Sequence, residues 1–180
     1  MTDRERVLSA EQIAEALTRL GALAAERGVH VELFAIGGVV MVLRFGSRAA
    51  TRDVDAVILA PEPAREVRAL AARVADELDL PEEWLNDGAK GYVGADVVGD
   101  ALFEAPGITV RMPPLAQMLA LKLSAWRDDR DIDDAMVLVR AMPGEKEARW
   151  SAVEAYLRED QQQKAWYAFE TVWELAYGLA

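Results

Sequence analysis

Cysteine is absent from the 180 residues of this chain, so neither a disulfide framework nor a thiolate metal site is open to it, and the redox compartment is left undetermined. Histidine occurs once, at His30, which argues against histidine-based metal or triad chemistry; His30 reads as the start of a strand. No apolar run reaches the length of a membrane span. The opening Met1-Thr2-Asp3-Arg4-Glu5-Arg6 is charged and lacks the continuous apolar stretch of a signal peptide, so a cytoplasmic protein is expected. Basic residues are also scarce. Twenty Lys and Arg face 31 Asp and Glu, and the net charge of -11 opposes non-specific attraction to nucleic acid, although it leaves a nucleotide ligand open. There is no internal repeat and no low-complexity tract, and the length suits one main hydrophobic core.

Ser9-Ala10-Glu11-Gln12 has the form of a capping box, and Ile13, Ala16, Leu17, Leu20, Leu23 and Ala24 follow at helical spacing towards Gly28. Val31 to Ile36 is β-branched and aromatic and runs into Gly37-Gly38, which predicts a strand ending in a tight turn. A short apolar helix is expected over Val39 to Phe45, closed by Gly46. A second strand is expected over Asp53 to Leu59, buried on both faces, and then a helix from Pro61-Glu62-Pro63 to about Leu78. Between Leu80 and Gly107 the pattern breaks among scattered glycines. Ala101–Glu104 and Ile108–Met112 can pair as a hairpin around Ala105-Pro106-Gly107. Helices are predicted over Pro114 to Trp126 and Asp131 to Met142, and the rest is helical in propensity. Trp166, Phe169, Trp173 and Tyr177 recur there at helical spacing and are read as closing the protein's own core in preference to forming a partner face.

Asp53 and Asp55 are two apart on a predicted strand, so their side chains share a side about 6.6 Å apart along the chain. Such a pair repels unless a cation lies between, and hard oxygen ligands with open positions suit Mg2+ or Mn2+ held jointly with substrate phosphates. On a purely structural reading Asp53 merely begins the strand; against it, Val57 and Leu59 continue the Asp55 side as apolar residues. Gly37-Gly38 precedes a helix N-terminus and offers bare backbone N–H groups for phosphate. Arg44, Arg48 and Arg52 crowd around this region. Downstream, Lys122 interrupts the apolar stripe of Leu115, Met118, Leu119, Leu123 and Trp126. A buried ammonium needs a partner, and Asp131, on the inner side of the next helix with Ala135 and Val139, is expected to supply it. On a purely structural reading Lys122 snorkels out of the core and the aspartates at 128, 129, 131, 133 and 134 cap that helix N-terminus, which accounts for some of the acids but not for the lysine.

With Phe34-Ala35-Ile36-Gly37-Gly38, Thr51-Arg52-Asp53-Val54-Asp55, Trp84-Leu85-Asn86-Asp87 and Leu119 to Asp134, the chain resembles the small prokaryotic nucleotidyltransferase-like proteins of the DNA polymerase β superfamily, related to abortive-infection and toxin-antitoxin nucleotidyltransferases. The resemblance implies an α+β fold, with a mixed β-sheet flanked by helices over residues 1–142 and a C-terminal helical extension over 143–180. It implies Asp53 and Asp55 as ligands of the catalytic Mg2+ (or Mn2+), Gly37 and Gly38 with Arg48 and Thr51 as nucleotide contacts, and Lys122 with Asp131 as a supporting pair. The implied reaction moves a nucleoside monophosphate from a nucleoside triphosphate to an RNA, protein or small-molecule hydroxyl, in a toxin-antitoxin or phage-defence setting. The alternative is a non-catalytic binding module or partner subunit on the same fold. Two departures stand out. Gly38 takes the place where many active transferases carry a serine. No carboxylate stands on Ile108-Thr109-Val110-Arg111 to act as base, and no pattern selects Asp96 or Glu104 instead.

Overall fold

The computed structural model describes residues 6–88, 99–126 and 129–178. The fold is α+β, and the chain divides into two compact units, Met1–Pro113 and Pro114–Ala180. Compaction therefore breaks at Pro113–Pro114, whereas the sequence reading divides the chain after residue 142. The reason is that α4 (Leu115–Ala125) and α5 (Asp129–Ala141) pack with α6 (Lys146–Glu154) and α7 (Glu159–Tyr177) into one helical unit.

In the first unit, the predicted capping box opens α1 (Ala10–Ala25): the Gln12 backbone N–H donates to Ser9 Oγ at 3.3 Å and the Ser9 N–H donates to Gln12 Oε1 at 3.0 Å. Reciprocal bonds of this kind satisfy two of the four orphan donors at a helix start. The stripe Ile13, Ala16, Leu17, Leu20, Leu23 and Ala24 is buried as its spacing requires. β2 (Val31–Ala35) is the central strand of a mixed sheet whose other members are β4 (Val54–Ala60), β5 (Leu85–Asn86), β6 (Asp100–Ala105) and β7 (Ile108–Met112), in the order β5-β4-β2-β7-β6. β2 runs antiparallel to β4 and parallel to β7, and the β6–β7 hairpin forms as predicted.

Alternation assigns the two faces of the sheet. Leu33, Ala35, Val54, Ala56, Ile108, Val110 and Met112 are buried, with α1 packed on β6 and β7 and against α3 (Arg65–Leu78). Phe34 and Ile36, on the other side of β2, gather Val57 and Leu59 into a small second cluster. That is the side of Asp55, so the carboxylate does lie at the margin of apolar surface.

Two local differences from the sequence reading have physical causes. Val39–Phe45 is not one regular helix. A single α-helical turn, α2 (Gly38–Val40), widens into a π-helical turn over Met41–Phe45, which Gly46 closes at φ +58°. Such widened turns are frequent at functional sites. The chain then forms β3 (Ala50–Thr51), which pairs with β1 (Leu8–Ser9) and so fixes Thr51 beside Leu8. β5 was invisible in the sequence because a two-residue strand has no period to read.

Glu77 joins α1 to α3. It accepts from Arg19 Nε at 2.6 Å and from Arg73 Nε at 2.7 Å, and these bonds, Arg19 first, hold its carboxyl down at about 2 against an ordinary 4.5. A depressed carboxylate stabilises the fold above its unfolded value, and that contribution disappears as pH falls through the folded one. Melting temperature measured from pH 7 down to pH 2 should therefore fall less steeply below pH 4.5 in Glu77→Gln than in the parent protein. Parallel acid limbs would show that the clamp contributes nothing.

The second unit buries Met118, Leu119, Leu123, Ala135, Leu138, Val139, Val153, Ala165, Phe169 and Val172. The C-terminal rings form a continuous chain, Trp150 edge-on to Trp166 at 4.8 Å, both against Phe169, then Trp173 and Tyr177. Phe169 is fully buried, while Trp166 and Tyr177 stay 37% and 47% exposed, so the stripe is half core and half surface. Among the described residues no helix is long and apolar enough to cross a membrane.

Candidate active site

The end of β2 and the start of β4 meet because the strands are antiparallel and the Ile36 N–H donates to the Asp55 carbonyl at 2.9 Å. This places the Gly37-Gly38 turn beside the aspartate pair. Gly37 has φ +72°, a conformation that only glycine adopts readily, and a side chain there would meet open space. Gly38 is required for a different reason. A β-carbon there would stand 2.5 Å from Thr51 Oγ1 and 3.4 Å from Arg48 Nη1. Four of the residues expected to contact a nucleotide, Gly37, Gly38, Arg48 and Thr51, thus form one cluster. Thr51 is buried and Arg48 half-buried, while Arg44 and Arg52 are exposed.

Asp53 stands one residue before β4, and Asp55 is its second residue. Both turn towards β5. The Asp55 backbone is in register with Asn86, whose Nδ2 donates to Asp53 Oδ2 at 2.5 Å. Asp55 Oδ1 is withdrawn from solvent and lies 3.5 Å from where a β-carbon on Gly88 would sit. Burial pushes the Asp53 carboxyl above its ordinary value, opposed by the Asn86 bond and by the charge of Arg52, with Glu83 adding to the rise. A carboxylate that is costly to ionise in the bare site is one that a cation would relieve.

Among the described residues no group of three or more acids or histidines gathers as a complete metal cage. Two carboxylates beside a glycine turn nevertheless fit a hard divalent ion of the Mg2+ type, which takes one or two protein carboxylates and completes its octahedron with water and substrate oxygens. Of the candidates for a third carboxylate, Glu104 lies exposed on β6 opposite Thr109, and Asp96 falls outside the described residues. The β7 position level with Phe34 belongs to Arg111.

Lys122 and Asp131 are brought together in the second unit. Lys122 Nζ lies 2.9 Å from Asp131 Oδ1 and 2.7 Å from Asp134 Oδ2, with both aspartate side chains only 2% exposed. Asp134 is a member that sequence reasoning assigned to capping. Its signal was available, since Asp131, Asp134, Ala135 and Leu138 repeat at three- and four-residue steps along the buried side of α5. In the sequence Asn86 stands in the Trp84-Leu85-Asn86-Asp87 motif without an assigned role. It does shape the turn, accepting from the Gly88 N–H at 3.0 Å, but its other end holds Asp53. Comparison with family models, with characterised proteins and with solved structures finds no match for this chain.

Proposed function

We propose that the chain is a cytoplasmic, metal-dependent nucleotidyltransferase that moves a nucleoside monophosphate from a nucleoside triphosphate to a hydroxyl of RNA, protein or a small molecule, as the resemblance to toxin-antitoxin and phage-defence transferases suggests. The observation that carries it is the meeting of Asp53 and Asp55 with a glycine turn in which Gly38 leaves no room for a β-carbon. Backbone N–H groups at that turn and the guanidinium of Arg48 suit the triphosphate, and Thr51 keeps the turn in place. A divalent ion held by Asp53 and Asp55 supplies charge neutralisation on the phosphates when bound. The acceptor oxygen attacks the α-phosphorus, the bond to the β-phosphate oxygen breaks, pyrophosphate leaves and the hydroxyl proton is released.

Mg2+ together with one of the four common triphosphates should raise the melting temperature, and Asp53→Asn with Asp55→Asn should abolish that rise. The bare fold should survive the change at residue 53. A raised carboxyl favours the folded state only below its unfolded value, and the benefit is lost as pH climbs through the folded value. Above that folded value the ionised Asp53 opposes folding, and there the ligand-free Asp53→Asn protein should melt no lower than the parent.

Arg111 favours a second reading, a binding module without catalysis, because a cation stands on β7 at the strand where a transferase of this type places its base. A protein that shows no melting shift with any of the four triphosphates would support that module and sink the transferase.

A further inference from the structure

We propose that Asn86 is the positioning residue of Asp53, its side-chain amide fixing that carboxylate beside Asp55 so that the two can serve one divalent cation. This rests on the reading of Asp53 and Asp55 as the cation ligands. Asn86 is the only asparagine in the chain, and three observations converge on it. Its Nδ2 donates to Asp53 Oδ2 at 2.5 Å. Its backbone pairs in register with Asp55 across β4 and β5. Its Oδ1 accepts from the Gly88 N–H, and a β-carbon on Gly88 would stand 3.2 Å from that oxygen and 3.5 Å from Asp55 Oδ1. The amide therefore has one end on Asp53 and the other on the Gly88 backbone, in the turn that runs past Asp55. The turn is anchored from outside by an ion pair between Arg68 on α3 and Asp87. A donor that orients a metal-binding carboxylate acts through that ligand, and its loss typically weakens metal affinity about 10- to 100-fold.

Two measurements on the full chain test this. With asparagine selectively labelled with 15N, the single side-chain amide should resonate downfield of a solvated amide and return towards that position in Asp53→Ala. In a Mn2+ titration at a temperature where both proteins are folded, Asn86→Leu should bind about 10- to 100-fold more weakly than the parent. An Asn86 amide that already resonates as a solvated one and ignores Asp53→Ala overturns the assignment. So does Mn2+ affinity within twofold of the parent in Asn86→Leu. If the parent protein binds no Mn2+, the transferase reading fails, and the amide resonance alone decides whether Asn86 holds Asp53.

Discussion

Lys122→Met is expected to destabilise the protein by about 3–5 kcal/mol, read as a loss of unfolding free energy in urea denaturation followed by tryptophan fluorescence. The ammonium is only 12% exposed and sits between two carboxylates that are each 2% exposed. Methionine has nearly the same length and removes little packing, so the effect isolates the charge. Without it, Asp131 and Asp134 face each other's negative charge out of reach of solvent, which is far more costly than the loss of an exposed pair worth about 0–1 kcal/mol. Adding Asp131→Asn and Asp134→Asn to Lys122→Met should recover a large part of the loss, because the buried repulsion goes with the charges. A loss below about 1 kcal/mol in the single variant would mean that water reaches the ammonium and that α4 and α5 are held by apolar contacts alone.

Trp84→Ala should be similarly severe, about 3–5 kcal/mol, with a functional consequence beyond stability. Trp84 is fully buried, and its indole Nε1–H donates to the Ala71 carbonyl of α3 at 2.9 Å. Its own carbonyl accepts from the Val54 N–H at 2.6 Å, which starts the pairing of β5 with β4. The ring therefore pins to α3 the strand that delivers Asn86 to Asp53. Trp84→Phe keeps most of the ring and loses the N–H donor, and should cost about 1–3 kcal/mol, since the Ala71 carbonyl is left without its indole partner. If Trp84→Ala unfolds no more easily than Trp84→Phe, ring packing is not what holds β5.

How far these features are legible in the chain differs with their range. α1 announces itself through a capping box and a periodic stripe, and β2 and β4 through apolar runs next to glycine and aspartate. The glycine turn, the aspartate pair and the intruding lysine could all be picked out because each is a local break in a local pattern. Arg48 and Thr51 lay in the same window. Asn86 could be seen but not interpreted, since its significance depends on pairing with a strand 31 residues earlier, Asp55 opposite Asn86 and Val54 opposite Leu85. The two-residue β5 and the π-helical widening of Met41–Phe45 left no periodic trace at all.

By itself, then, the amino-acid order determined which of the longer segments are helical or extended, which of their faces are apolar, and which polar residues are out of place on them, because backbone dihedrals and side-chain alternation depend on near neighbours. Tertiary structure decided the order β5-β4-β2-β7-β6, the division at Pro113–Pro114, the seating of Asp53 on Asn86 and the choice of Asp134 as second partner to Lys122. Those outcomes depend on which surfaces exclude water from one another across long stretches of chain, and burial of that kind is shared among residues that no local pattern connects.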